Sequence, residues 1–312
     1  MPRKLRRRAL RILLLFFVLT NVLAAMHAWR FTHFTDSRAP RKTVEQMSVG
    51  DKALALISGA PNPRPENTRT PTVPYETITL QSARKLECWY IPAEKAKGDV
   101  AVFHGYGGCK SNMLDKAAIF REAGYNVLLA DFAGTGGSEG NQTTIGWKEA
   151  DDVKVCYDYL RRRHDGDSII LFGPSLGAVA ILRAVSDKGV QPAGIIIECP
   201  YGTLYETICA RFRMMHLPAF PLARVLQFWG GVENGFNAFE LNPSEFAKKA
   251  RCPALLFYGE QDDRVTRKEI DAVYGNLAGK KKLVLLPRAG HNNYLDEYRA
   301  EWTGAVREFL SR

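Results

Sequence analysis
The sequence predicts an α/β fold, a mostly parallel central sheet with helices on both faces. Short continuous apolar runs, as in strands buried on both sides, alternate with amphipathic helical segments from Val100 onward. The chain has 312 residues, 46% of them apolar, enough for a large buried core. Glycine-flanked polar motifs follow several of the apolar runs, at the carboxyl ends of strands where such sheets build their sites.

The N-terminal segment stands apart. Residues 1–42 hold ten Lys/Arg and one acid, while the rest holds 33 basic and 32 acidic residues. The net charge of +10 therefore belongs to the N-terminus, and the near-neutral body gives no support for nucleic-acid binding. Arg3, Lys4, Arg6, Arg7, Arg8 and Arg11 precede a run, Ile12 to Trp29, in which only Thr20, Asn21 and His27 are polar. At 1.5 Å per residue that run spans about 27 Å, close to the hydrocarbon core of a bilayer. Residues 1–29 are read as an uncleaved membrane anchor, with the bilayer as partner of residues 12–29. A signal peptide cut near Leu23-Ala24-Ala25 is the rival, and would release a secreted protein. The arginines favour a cytoplasmic N-terminus and an extracytoplasmic body, periplasmic in a bacterium.

Residues 30–74, with Pro61, Pro63, Pro65, Pro71 and Pro74, read as a stalk and lead-in with a short helix. Residues 75–312 read as one domain. Glu76–Leu80 and Lys85–Ile91 flank a polar turn as a hairpin. Strands follow at Val100–Phe103, Asn126–Ala130, Ser168–Phe172, Gly194–Glu198, Ala254–Tyr258 and Leu283–Leu286. Helices are expected at Asn112–Ala123, Trp147–Arg162, Leu176–Val185 and Leu295–Leu310. In the second, Ala150, Val153, Tyr157 and Leu160 share a face. Residues 201–246 carry nine aromatics and no strand pattern, and read as an inserted helical cap. The six cysteines have no framework spacing and no CxxC, and read as free thiols.

The strand Ser168–Phe172 runs into Gly173-Pro174-Ser175-Leu176-Gly177 and then a helix. This is G-x-S-x-G in the strand–turn–helix setting that exposes a nucleophilic serine. Val100–Phe103 ends in His104-Gly105-Tyr106-Gly107-Gly108. Acyl transfer develops negative charge on a carbonyl oxygen, and the backbone N–H groups of Tyr106 and Leu176 are the expected donors to it. His291, after Leu283–Leu286, is the expected base. The other histidines suit that role less well, and His104 is expected to support its loop. The acid must lie in Gly259-Glu260-Gln261-Asp262-Asp263-Arg264-Val265. Glu260, Asp262 and Asp263 all compete, and Glu260 is expected to point away from His291. No nucleotide-loop or H-E-x-x-H pattern occurs, so neither cofactor nor catalytic metal is expected.

These motifs resemble the α/β-hydrolase superfamily, in its monoglyceride lipase-like and serine-aminopeptidase-like branch. The resemblance rests on HGYGG, the segment Asp131 to Gly140 (similar to D-x-x-G-x-G-x-S), GPSLG, GEQDDRV and AGH, in family order. It implies an α/β-hydrolase fold and a Ser175–Asp262–His291 triad. Its G-x-x-D-x-x-V pattern selects Asp262, because Gly259, Asp262 and Val265 keep that spacing. Ala133 departs from the family, whose members often carry Arg there. The expected activity is hydrolysis of a small-molecule carboxylic ester through an acyl-enzyme, as in a carboxylesterase, lysophospholipase or monoacylglycerol lipase. A peptidase or amidase on short peptides is the alternative within enzymes, and a non-catalytic hydrolase-fold binding protein the alternative outside them. The oligomeric state is not legible.

Overall fold
A computed structural model describes the chain except residues 1–2, 37–47, 49, 51–53, 56–58, 165, 167 and 312. The short helix expected in the stalk falls mostly outside the described residues.

Eight strands form one sheet: β1 Glu76–Gln81, β2 Lys85–Ile91, β3 Gly98–Val102, β4 Asn126–Ala130, β5 Ser168–Pro174, β6 Gly194–Glu198, β7 Ala254–Gly259 and β8 Lys281–Leu286. Their order is β1-β2-β4-β3-β5-β6-β7-β8. The hairpin pairs Gln81 with Lys85, and β2 also runs antiparallel to β4. All other pairings are parallel.

The helices are α1 Arg3–Thr32, α2 Leu114–Glu122, α3 Glu149–Arg163, α4 Leu176–Asp187, α5 Leu204–Met214, α6 Leu222–Asn234, α7 Pro243–Phe246, α8 Arg267–Asn276, α9 Tyr294–Glu297 and α10 Arg299–Leu310. Strand residues divide by their period of two. Ala101, Leu171, Ile197 and Leu256 join the core under α3, α4 and α8. Val102, Ile170, Ile196 and Leu255 join the core under α2 and α10. The β3–α2–β4 connection therefore lies on one face and the β4–α3–β5 connection on the other. The crevice between the carboxyl ends of β3 and β5 is the switch point of the sheet, where open α/β folds bind ligands.

Two helices differ from the sequence reading. The helix expected from Asn112 begins as a 3-10 turn, Lys110–Met113, because the Asn112 side chain turns back to accept the Cys109 N–H (2.9 Å). The last helix breaks at Tyr298 (φ −125°, ψ 38°), whose ring is drawn into the core and whose hydroxyl accepts the Arg288 N–H at 2.9 Å. Between β6 and β7, residues 201–246 hold α5, α6 and α7 and no strand. The α1 helix is long and apolar enough to cross a membrane. Leu13, Leu14, Leu15, Phe16 and Phe17 are all exposed, and nearer its end Trp229 of α6 donates to Asn21 (3.0 Å).

Candidate active site
The turn from β5 into α4 puts Ser175 at φ 50°, ψ −115°, a conformation L-residues rarely adopt. The glycines on either side make the turn possible. A Cβ on Gly173 would lie 2.6 Å from the Gly177 carbonyl carbon, and one on Gly177 would lie 2.9 Å from the His104 oxygen. The Ser175 N–H donates to the Glu198 carbonyl at the end of β6 (2.8 Å). Leu176 opens α4, so its N–H is among those without an intrahelical acceptor. The Gly105 backbone lies against Ser175, where an added Cβ would sit 3.7 Å from the serine Cβ.

Three side chains from three strand ends meet here. His291 Nε2 lies 3.1 Å from Ser175 Oγ, and its Nδ1 lies 2.7 Å from Asp262 Oδ2. With the proton on Nδ1, the ring donates to Asp262 and accepts from Ser175. The Asp262 side chain is fully buried, and its Oδ1 accepts the N–H groups of Arg264 (2.8 Å) and Val265 (2.9 Å). Glu260 is exposed and pairs with Arg267 (3.5 Å), and Asp263 is exposed. Of the three competing carboxylates, the geometry brings Asp262 to the histidine.

His104 serves its loop. Its Nδ1–H donates to the Gly105 carbonyl (2.8 Å), and its Nε2 accepts the Phe132 N–H (3.2 Å). Burial holds its pKa below the usual histidine value. The Asp131–Gly140 segment is structural as well. Asp131 accepts from Lys110 Nζ (2.5 Å), the Lys110 N–H (2.7 Å), Asn67 (2.7 Å) and the Gly137 N–H (2.9 Å). Lys110 is fully buried and also reaches Glu87 (2.7 Å).

Sequence reasoning missed three groups. Lys116 and Glu198 form a buried ion pair (2.6 Å), and the Trp302 indole donates to the other Glu198 oxygen (2.6 Å). This pair braces the end of β6, whose carbonyl holds Ser175. Cys199 is the third, buried at φ 37°, and its sulfur lies within 4.8 Å of donor atoms on His291 and Asp262. Burial works against the His291 imidazolium, but Cys199 and the Asp262 carboxylate outweigh it and push the pKa up to about 10. Among the described residues, Cys199, Asp262 and His291 are also the group able to hold a metal, at the expense of the Asp262–His291 hydrogen bond. All six cysteines are free thiols.

Residues 94–228 match the family model described as serine aminopeptidase, S33. The uncharacterized protein YfhR of Salmonella typhimurium is 32% identical over 248 residues, which cover 75% of this chain and 78% of that protein. The esterase Pf2001 of Pyrococcus furiosus aligns with a TM-score of 0.66 at 23% identity, over 80% of this chain and 98% of that one. The chain belongs to the α/β-hydrolase superfamily. Another relative of this hydrolase is the lysophosphatidylserine lipase ABHD12 of Danio rerio, 25% identical over 223 residues, 68% of this chain and 55% of that one.

Proposed function
We propose that the protein is a serine hydrolase that cleaves a carboxylic ester through an acyl-enzyme on Ser175. The observation that carries this reading is the hydrogen-bonded series Ser175 Oγ–His291 Nε2 (3.1 Å) and His291 Nδ1–Asp262 Oδ2 (2.7 Å) on a strained turn. His291 takes the proton of Ser175 as its oxygen attacks the ester carbonyl, then returns it to the leaving alcohol. Water attacks the acyl-enzyme with His291 again as base. Asp262 keeps the imidazole tautomer and stabilises the imidazolium. The backbone N–H groups of Tyr106 and Leu176 receive the oxyanion. None of these steps draws on a cofactor.

An ester is favoured by the Danio rerio relative, a lysophosphatidylserine lipase. Apolar exposure between β6 and β7 agrees with it: Met214, Met215, Leu217, Phe220 and Phe228 face outward. Residues 201–246 then serve as a cap beside an acyl substrate, over a hydrolase domain of residues 75–312. Residues 1–29 anchor it, through a bilayer crossing at residues 12–29, and residues 30–74 connect anchor to domain. The six basic residues before the span favour the extracytoplasmic side for the domain, against Arg30, Arg38, Arg41 and Lys42 after it. The serine aminopeptidase match supports a second reading, cleavage of short peptides.

A fluorophosphonate probe and a panel of p-nitrophenyl esters set against aminoacyl anilides test these readings. Ser175 of the parent should be labelled, and Ser175→Ala should lose labelling and at least ~10³-fold in kcat while remaining folded. Labelling that persists in the variant would remove Ser175 from the mechanism. A parent that is never labelled would favour a binding protein. Faster anilide than ester cleavage would favour the peptidase.

A further inference from the structure
We propose that the end of α1 and the residues just after it form a positioning element of the active site, in which Phe31 and Phe34 hold the Tyr106 loop in register for oxyanion binding. The inference rests on the proposed serine-hydrolase function. The loop that carries Tyr106 is His104-Gly105-Tyr106-Gly107-Gly108, with Gly107 at φ 69°. A glycine-rich backbone has many accessible conformations, so beyond the His104–Gly105 hydrogen bond its placement draws on what holds the tyrosine side chain.

The end of α1 supplies that hold. The rings of Phe31 and Tyr106 stack with centroids 4.7 Å apart and planes 16° from parallel. The Tyr106 hydroxyl donates to the Phe31 carbonyl at 2.8 Å. That carbonyl lies in the last turn of the helix, where oxygens lack intrahelical donors, and the Asn62 side chain donates to it as well (3.2 Å). The Arg211 guanidinium of α5 covers the Phe31 ring at 3.9 Å.

The helix end is itself fixed to the body. The Phe34 N–H donates to the Asn141 carbonyl (2.7 Å), the Thr143 N–H to the Thr32 carbonyl (2.8 Å), and the Gln142 side chain meets His33 Nε2 (2.6 Å). Phe34 is 3% exposed and lines a small cavity with Gly105, Tyr106, Ala133 and Leu176. That cavity thus joins the α1 end to both proposed oxyanion donors.

Oxyanion donors act over a few tenths of an ångström, and a displacement near 1 Å costs on the order of 10²-fold in rate. A loosened clamp should therefore depress kcat and leave KM and the His291 titration in place.

The test uses full-length protein in detergent micelles with p-nitrophenyl butyrate. Phe31→Ala and Phe34→Ala should each lower kcat by at least ~10-fold with KM within about threefold and the acidic limb of the pH profile unmoved. Phe31→Tyr, which keeps the ring, should restore kcat to within about threefold of the parent. Tyr106→Phe, which keeps the stack and loses only the hydroxyl, gives a milder probe and should lower kcat by ~3-fold or more. If Phe31→Ala fails to fold, Tyr106→Phe still decides the matter. Rates within about twofold of the parent in every folded variant would overturn the proposal, as would a loss of kcat accompanied by a shifted acidic limb. Fluorophosphonate labelling of the parent separates the two levels. An unlabelled parent defeats the serine-hydrolase reading, whereas a labelled parent with unmoved variants defeats only the role of α1.

Discussion

Replacing Asp262 by asparagine should disable His291 through a specific change of hydrogen bonding. The carboxylate is fully buried, and its Oδ1 already accepts two backbone N–H groups, from Arg264 at 2.8 Å and Val265 at 2.9 Å. These donors would hold the amide oxygen of an asparagine in the Oδ1 position. The amide NH2 must then face His291 Nδ1, where Oδ2 now sits at 2.7 Å. An NH2 group donates, so Nδ1 would become the acceptor and the ring proton would move to Nε2. Nε2 could no longer take the proton of Ser175. The attraction to the imidazolium is lost as well. With about 4 Å between charge centres and an effective dielectric constant near 20, that attraction is ~4 kcal/mol, or ~10³-fold in rate. Together the two effects predict a loss of ~10³–10⁴-fold in kcat. The assay is ester hydrolysis by full-length Asp262→Asn, beside Asp263→Asn as a control that should stay within a few-fold of the parent. A decline of less than ~10-fold in Asp262→Asn, or an equal decline in Asp263→Asn, would refute the argument.

The His291 imidazole must be neutral to act as base, so kcat/KM should rise with pH through its raised pKa and level off above it. Cys199→Ala removes one of the groups that raise that pKa and should move the acidic limb of the pH–rate profile to lower pH; a limb that stays in place would show Cys199 to be inert. Lys116→Met strands the buried Glu198 carboxylate and should cost ~3–5 kcal/mol in denaturant unfolding, while Lys116→Met combined with Glu198→Gln should recover much of it. Equal destabilisation of the single and double variants would contradict the charge argument. The full-length protein should sediment with membranes and resist carbonate extraction; a mature chain beginning near Met26 by mass spectrometry would instead establish a cleaved signal peptide.

Local pattern alone carried the order of strands and helices. A run such as Ile195-Ile196-Ile197 has no polar alternation because both faces of the sheet are covered, and that is visible in three residues. Ser175 was legible for a similar reason, since a sharp strand-to-helix turn demands Gly173 and Gly177 as near neighbours in the chain. Groups whose partners lie far along the chain were not legible. Lys116 sits in a short helix and looks like any surface lysine until Glu198, 82 residues later, comes within 2.6 Å. Cys199 gave no signal, because its importance lies in proximity to His291 and Asp262. The choice among Glu260, Asp262 and Asp263 rested on a spacing pattern, and the loop that turns one of them inward is made by backbone N–H groups that sequence does not display. The same holds for α1. Its apolar run announced a helix long enough to span a bilayer, but a hydrophobic pattern has no way to specify that its last turn stacks Phe31 on Tyr106, 75 residues away. Periodicity records which side of an element is apolar. Which other element meets that side is settled when the chain packs, by shape and by the need of each buried polar group for a partner.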